Sequence, residues 1–127
     1  MNEVVLDASA LLAVLRDEPG AQRVESRLHG AHVGAVNLSE VVAKLIEDGV
    51  PEAEIRVAID RLQLDIHAFD AQLAYVAGIL RRSTRASGLS FGDRTCLALA
   101  QSLGALALTA DRSWSGFDLG IAIEVIR

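Results

Sequence analysis

Four carboxylates stand where an apolar segment gives way to a turn or a helix start. Asp7 follows the run EVVL, Glu40 lies behind HVGAV, Asp93 sits inside LSFGDRTCLALA, and Asp111 comes two residues after ALALT. Each has an ordinary structural use. Asp7 suits a helix cap, Asn37-x-x-Glu40 and Ser90-x-x-Asp93 fit the capping-box pattern, and Asp111 suits a turn. Their chemical use would be a joint one. Two carboxylates about 4 Å apart repel by roughly 4 kcal/mol at an effective dielectric near 20, and a hard divalent cation removes that repulsion. An all-oxygen donor set, without Cys or paired His, favours Mg²⁺ or Mn²⁺. Such an ion promotes attack of water on a phosphodiester.

For the four acids to meet, the elements around them must bring them to one edge. EVVLD (3–7) reads as a buried parallel strand, ASALLAVLR (8–16) as a helix, and AQRVESRLHG (21–30) as a second helix stopped by Gly30. HVGAV (32–36) reads as the next strand, and Asn37 opens a helix striped by Leu38, Val41, Val42 and Leu45. PEAEIRVAIDRL (51–62) reads as a helix with Pro51 at its first position. LDIHAF (64–69) is a third strand, and Asp70 caps a long helix that runs to Gly88. The helix opened by Ser90 leads to strand ALALT (105–109), loop ADRSWSGFDLG and a last strand, IAIEVI (121–126). This order predicts an α/β fold: a single domain over 1–127, with a central, mostly parallel β-sheet of four to five strands flanked by helices. Such sheets place their sites at the carboxyl ends of the strands, where all four acids fall.

Composition bounds the function. A chain of 127 residues, 51% hydrophobic and with mean hydropathy +0.33, buries roughly two-thirds of its unfolded surface. Net charge is −5 and pI about 5.1, which argues against a broad basic nucleic-acid surface but leaves room for a nuclease whose acids sit in a metal site. The run VVLDASALLAVL is interrupted by Asp7 and too short to cross a bilayer, and residues 1–3 carry no positive charge. The expectation is a cytoplasmic protein with no membrane partner. The single Cys96 excludes an internal disulfide and reads as core, His29, His32 and His67 read as surface or strand-edge residues, and Trp114 as packing over the sheet edge. Five of the twelve basic residues, Arg81, Arg82, Arg85, Arg94 and Arg112, fall between positions 81 and 112. They read either as solvated cations near a helix end or as contacts to phosphate.

The ordered set VVLDASALLAVL, NLSEVVAKL, LSFGDRTCLALA and LTADRSW resembles the PIN domain, and more narrowly the VapC toxin ribonucleases of bacterial toxin–antitoxin pairs. The resemblance runs the length of the chain. It implies endonucleolytic RNA cleavage by an acid quartet that binds Mg²⁺ or Mn²⁺, which by motif match is Asp7, Glu40, Asp93 and Asp111. It implies that Ser9 supports the first acid and the metal, that a cognate VapB-type antitoxin covers the groove, and that the chain forms a homodimer. Phe91 departs from the pattern, since Leu often precedes the Gly-Asp pair, and is expected to be a core substitution. A receiver-type phosphoacceptor would need a lysine after a late strand, and a haloacid-dehalogenase-like phosphatase a second acid at position 9; neither is present. A catalytically silent PIN module that binds RNA or protein, or a housekeeping RNA-processing nuclease, remains the alternative.

Overall fold

Five short strands carry the site: β1 (Val4–Leu6), β2 (His32–Gly34), β3 (Asp65–His67), β4 (Leu106–Thr109) and β5 (Ile123–Val125). They lie in the order β3-β2-β1-β4-β5, and every neighbouring pair is parallel. The computed structural model describes residues 3–127; expectations resting on residues 1 and 2, the uncharged start among them, lie outside the described residues. Parallel neighbours need long crossovers. These are supplied by α1 (Ala8–Leu15), α2 (Ala21–Glu25), α3 (Ala35–Glu47), α4 (Glu52–Leu62), α5 (Ala71–Ile79), α6 (Arg81–Thr84) and α7 (Phe91–Leu103). No helix among the described residues is long and apolar enough to cross a membrane.

Strand alternation divides the core in two. Val4, Leu6 and Leu108 pack against α1, α3 and α4 on one face, while Val5 and Ala107 pack against α7 and Trp114 on the other. Because both faces are covered, β1 is apolar at every position and fully buried. The chain builds outward from β1 to β3, then returns to add β4 and β5 on its other side. The strand order therefore reverses between β1 and β4, and a crevice opens at their carboxyl ends. Trp114 lies fully buried in a short 3-10 turn, Arg112–Gly116, within the segment expected as loop, and Cys96 is fully buried on α7.

Several local expectations are corrected. β2 stops at Gly34 and α3 begins at once, so Asn37 is inside the helix and does not cap it. Its amide instead bridges two helices, as described below. Pro51 is the N-cap of α4, not its first helical residue, and α2 ends at Glu25, five residues before Gly30. The long helix after Asp70 breaks at Leu80. Just before the break, Arg94 Nη1 donates to the carbonyl of Ala77 at 3.1 Å and ties the end of α5 to α7. Phe91, expected in the core, is 51% exposed at the first position of α7, where it meets the edge of Phe69. Leu89, two residues earlier, is the buried anchor of that turn.

Leu108 is fully buried beside Leu6 in the central pair of strands. Leu108→Ala should cost about 2–5 kcal/mol, as loss of apolar contact and the cavity left behind add together. A urea unfolding curve with an unshifted midpoint would contradict this packing.

Candidate active site

Register creates the centre of the crevice. Leu6 pairs with Leu108, so the next residues, Asp7 and Thr109, stand side by side where the strands end. Asp7 also begins α1, and its Oδ1 accepts from the Ala10 amide at 2.9 Å and the Ser9 hydroxyl at 2.7 Å. Its Oδ2 accepts from the Thr109 hydroxyl at 2.8 Å. The two hydroxyls then hold the loop after β4. Ser9 Oγ accepts from the Ala110 amide at 2.9 Å, and Thr109 Oγ1 from the Asp111 amide at 3.0 Å. Even with three donors, burial pushes the Asp7 carboxyl up from 3.8 to about 6, and the nearby charge of Asp93 acts in the same direction.

Asp93 does what its motif predicts. Ser90 Oγ accepts from the Asp93 amide at 3.1 Å, and Asp93 Oδ2 accepts from the Ser90 amide at 3.0 Å, a complete capping box at the head of α7. Glu40 arrives from α3. Its Oε1 accepts from Asn37 Nδ2 at 2.9 Å, and the same amide donates to the Gly92 carbonyl at 3.0 Å. Asn37 is thereby buried as a brace between α3 and the start of α7, with its own Oδ1 left without a partner. A Cβ added at Gly92 would collide with the Glu40 carboxylate, so only glycine lets that acid lie against the first turn of α7.

The structure thus brings Asp7, Asp93 and Glu40 together. Burial raises the Cys96 thiol well above its ordinary range, and the charges of these three acids reinforce the effect from above it. Asp111 stands at the rim, exposed, with Oδ1 accepting from the amide and hydroxyl of Ser113 at 2.9 and 2.7 Å. Among the described residues, Asp93, Glu40 and Asp111 each engage one carboxylate oxygen in a positioning bond and keep the other open. No three of the four have ligand atoms all within 4.8 Å of one another. Among the described residues, the one His/Cys/Asp/Glu cluster with ligand atoms all within 4.8 Å is elsewhere.

The arginines divide. Arg81, Arg82 and Arg85 are exposed and form no ion pair among the described residues. Arg112 is exposed, and its Nε donates to the Arg127 carbonyl at 3.1 Å. Arg94 is turned inward onto Ala77, beside the ring of Phe91, and packs helices together. Sequence reasoning missed Thr109, Asn37 and Gly92. The first was legible as the residue closing ALALT, opposite Asp7; the other two depend on a helix–helix contact between distant segments. It also read the histidines as separate, whereas His32 and His67 meet across β2 and β3.

A family model described as PIN domain matches residues 4–118, so the chain belongs to the PIN domain family. Within that class, a VapC ribonuclease of Mycobacterium bovis is 30% identical over 112 residues, covering 80% of this chain and 84% of the relative. The fold is shared with a toxin–antitoxin complex from Klebsiella pneumoniae, at a TM-score of 0.80 and 18% identity over 98% of both chains. It is also shared with DNA-bound VapBC from Salmonella typhimurium, at 0.75 and 20% identity over the whole of both chains.

The raised carboxyl of Asp7 has a measurable consequence. In the unfolded chain the group ionises near 3.8, so from about pH 4 to 6 the folded state keeps a proton the unfolded state has lost. The stability that Asp7 contributes falls as pH rises through that window and levels off above it. Without divalent ions, Asp7→Asn should flatten this part of the profile and raise the urea midpoint at neutral pH. A profile that keeps its wild-type slope in the variant would place the titration elsewhere.

Proposed function

We propose that this protein is a metal-dependent endoribonuclease acting as the toxin of a toxin–antitoxin pair. The observation that carries the reading is the buried Asp7 carboxylate, raised to about 6 and facing the charge of Asp93 at the topological switch point of the sheet. An all-oxygen donor set that burial and mutual repulsion hold at such cost suits a hard cation, so Asp7, Glu40, Asp93 and Asp111 would hold Mg²⁺ or Mn²⁺. When bound, such an ion lowers the pKa of water and stabilises charge on a phosphate and its leaving oxygen.

The chain's own residues supply the positioning. Ser9 and Thr109 fix the orientation of Asp7 and tie the Asp111 loop to it. Asn37 aims Glu40 across the first turn of α7, and the capping box holds Asp93 at the positive end of that helix, which favours its ionised form. Glu40 and Asp111, each with one open oxygen, would act as co-ligands or position the attacking water. Arg81, Arg82 and Arg85 offer unpaired cations for the RNA backbone, with Arg112 at the far side of the rim. On an acidic chain they confine phosphate attraction to the neighbourhood of the crevice.

The partners follow from the relatives. The groove between α3 and α4, where Leu38, Val42, Ile46, Ile55, Ile59 and Ile66 line one cleft with the charged Glu52, Arg56 and Asp60, would take a VapB-type antitoxin. Tyr75 and Ile79, exposed on α5, suit a second copy of the chain. With the acids and their supporting hydroxyls present, a silent binding module is the weaker reading. A toxin of this kind would act in the cytoplasm, where its RNA substrate is.

Asp93→Asn should lower Mg²⁺-dependent cleavage of a structured RNA by roughly a hundredfold or more, about 2.7 kcal/mol in barrier, with little change in unfolding midpoint. Full activity in both Asp7→Asn and Asp93→Asn would sink the assignment. Gly92→Ala tests the close approach separately: activity should drop roughly tenfold, about 1.4 kcal/mol, as the Glu40 carboxylate is displaced, while helix propensity keeps the chain folded. Growth arrest on expression, relieved by a co-expressed antitoxin, distinguishes a toxin from a housekeeping nuclease.

A further inference from the structure

The register of the sheet's edge creates a second cluster of ligand atoms. His32 pairs with Asp65, and Gly34 with His67, so His32, Asp65 and His67 project from one face of β2 and β3. His32 Nδ1 lies 2.8 Å from His67 Nε2, and Asp65 Oδ2 lies 3.1 Å from the first and 3.3 Å from the second. We propose that these three atoms form a site for one Zn²⁺-class ion, independent of the acid crevice.

Three observations carry this. The first is geometric: ligands about 2.0–2.1 Å from a tetrahedral Zn²⁺ stand about 3.3 Å from one another, and the atoms here are 2.8, 3.1 and 3.3 Å apart, so only the His32–His67 pair has to open, by about half an ångström. The second concerns protons. At 2.8 Å only one hydrogen fits between the two facing ring nitrogens, so the other nitrogen directs a lone pair into the space it shares with Asp65 Oδ2. A cation turns that lone pair and the carboxylate oxygen into ligands. The third is the support behind the site. Glu3 Oε1 lies 3.5 Å from His32 Nε2, the nitrogen turned away from the cluster, where a carboxylate can orient a ligating ring. His32 is buried while Asp65 is exposed, so the cluster is anchored on the sheet and open to solvent at one side.

Donor chemistry separates the two sites. Paired imidazoles prefer Zn²⁺ and its transition-metal neighbours, whereas Mg²⁺ prefers the all-oxygen crevice. The consequence of binding is structural: the ion pins the edge strand β3 to β2.

The test is a titration of ZnCl₂ into the purified full chain held in excess Mg²⁺. One Zn²⁺ per chain is expected, with a rise in unfolding midpoint; Co²⁺ in its place should give the visible absorption of a tetrahedral site. His67→Gln and Asp65→Asn, at accessible positions, should weaken Zn²⁺ binding roughly tenfold or more, and Glu3→Gln by about ten- to a hundredfold. Each variant's midpoint without zinc verifies that it folds. Asp7→Asn should bind Zn²⁺ as the wild type does. Absence of zinc binding, binding that survives both His67→Gln and Asp65→Asn, or binding lost only in Asp7→Asn would each overturn the proposal. The outcome is independent of whether the chain cleaves RNA.

Discussion

Asp7 carries its charge where the central strand ends, with packed core beneath it and α7 beside it. A carboxylate removed from water in that position persists only if donors surround it. Three do: one hydroxyl and one backbone amide from the first turn of α1, and one hydroxyl from the end of β4. Satisfying that single group fixes the register of β1 against β4, the entry angle of α1 and the path of the loop after Thr109. The acid crevice is therefore a by-product of solvating one buried charge with protein atoms. Its remaining members are attached to elements whose positions Asp7 has already settled.

Most of this layout was readable in the sequence because it rests on local signals. Apolar runs ending in a polar residue mark β1 and β4, and Ser90 with Asp93 marks the start of α7 down to the individual bonds. What stayed hidden involves residues far apart in the chain. Asn37 looks like a helix cap because capping is its common local use; its bridging of Glu40 and Gly92 exists only once α3 lies across α7. His32 and His67 look unrelated for the same reason, since the pairing of β2 with β3 has no marker within either strand. Phe91 misled in a different way: the Leu that often stands there in the resembled pattern suggested a core position, but Phe91 is exposed and Leu89 is the buried residue of that turn.

The acidic composition is reconciled with a nucleic-acid substrate by distribution. Carboxylates such as Asp48, Glu52 and Glu124 are paired with Arg16, Arg56 and Arg27 away from the crevice. Arg81, Arg82 and Arg85, in contrast, meet no acid among the described residues. The net charge of the chain thus says little about the field near the crevice, where the acids and the unpaired arginines stand close in sequence.

Asp93 and Arg94 are neighbours on a helix, and successive residues there point about 100° apart. The acid therefore faces the crevice while the arginine reaches sideways to Ala77 near the end of α5. That dipeptide acts as an index pin: the same turn of α7 that presents a carboxylate to the crevice holds the end of α5. Sliding α7 by one residue would move the acid and the bond to Ala77 together, so the spacing between the crevice and the end of α5 is carried by one helix and not by the loops between them.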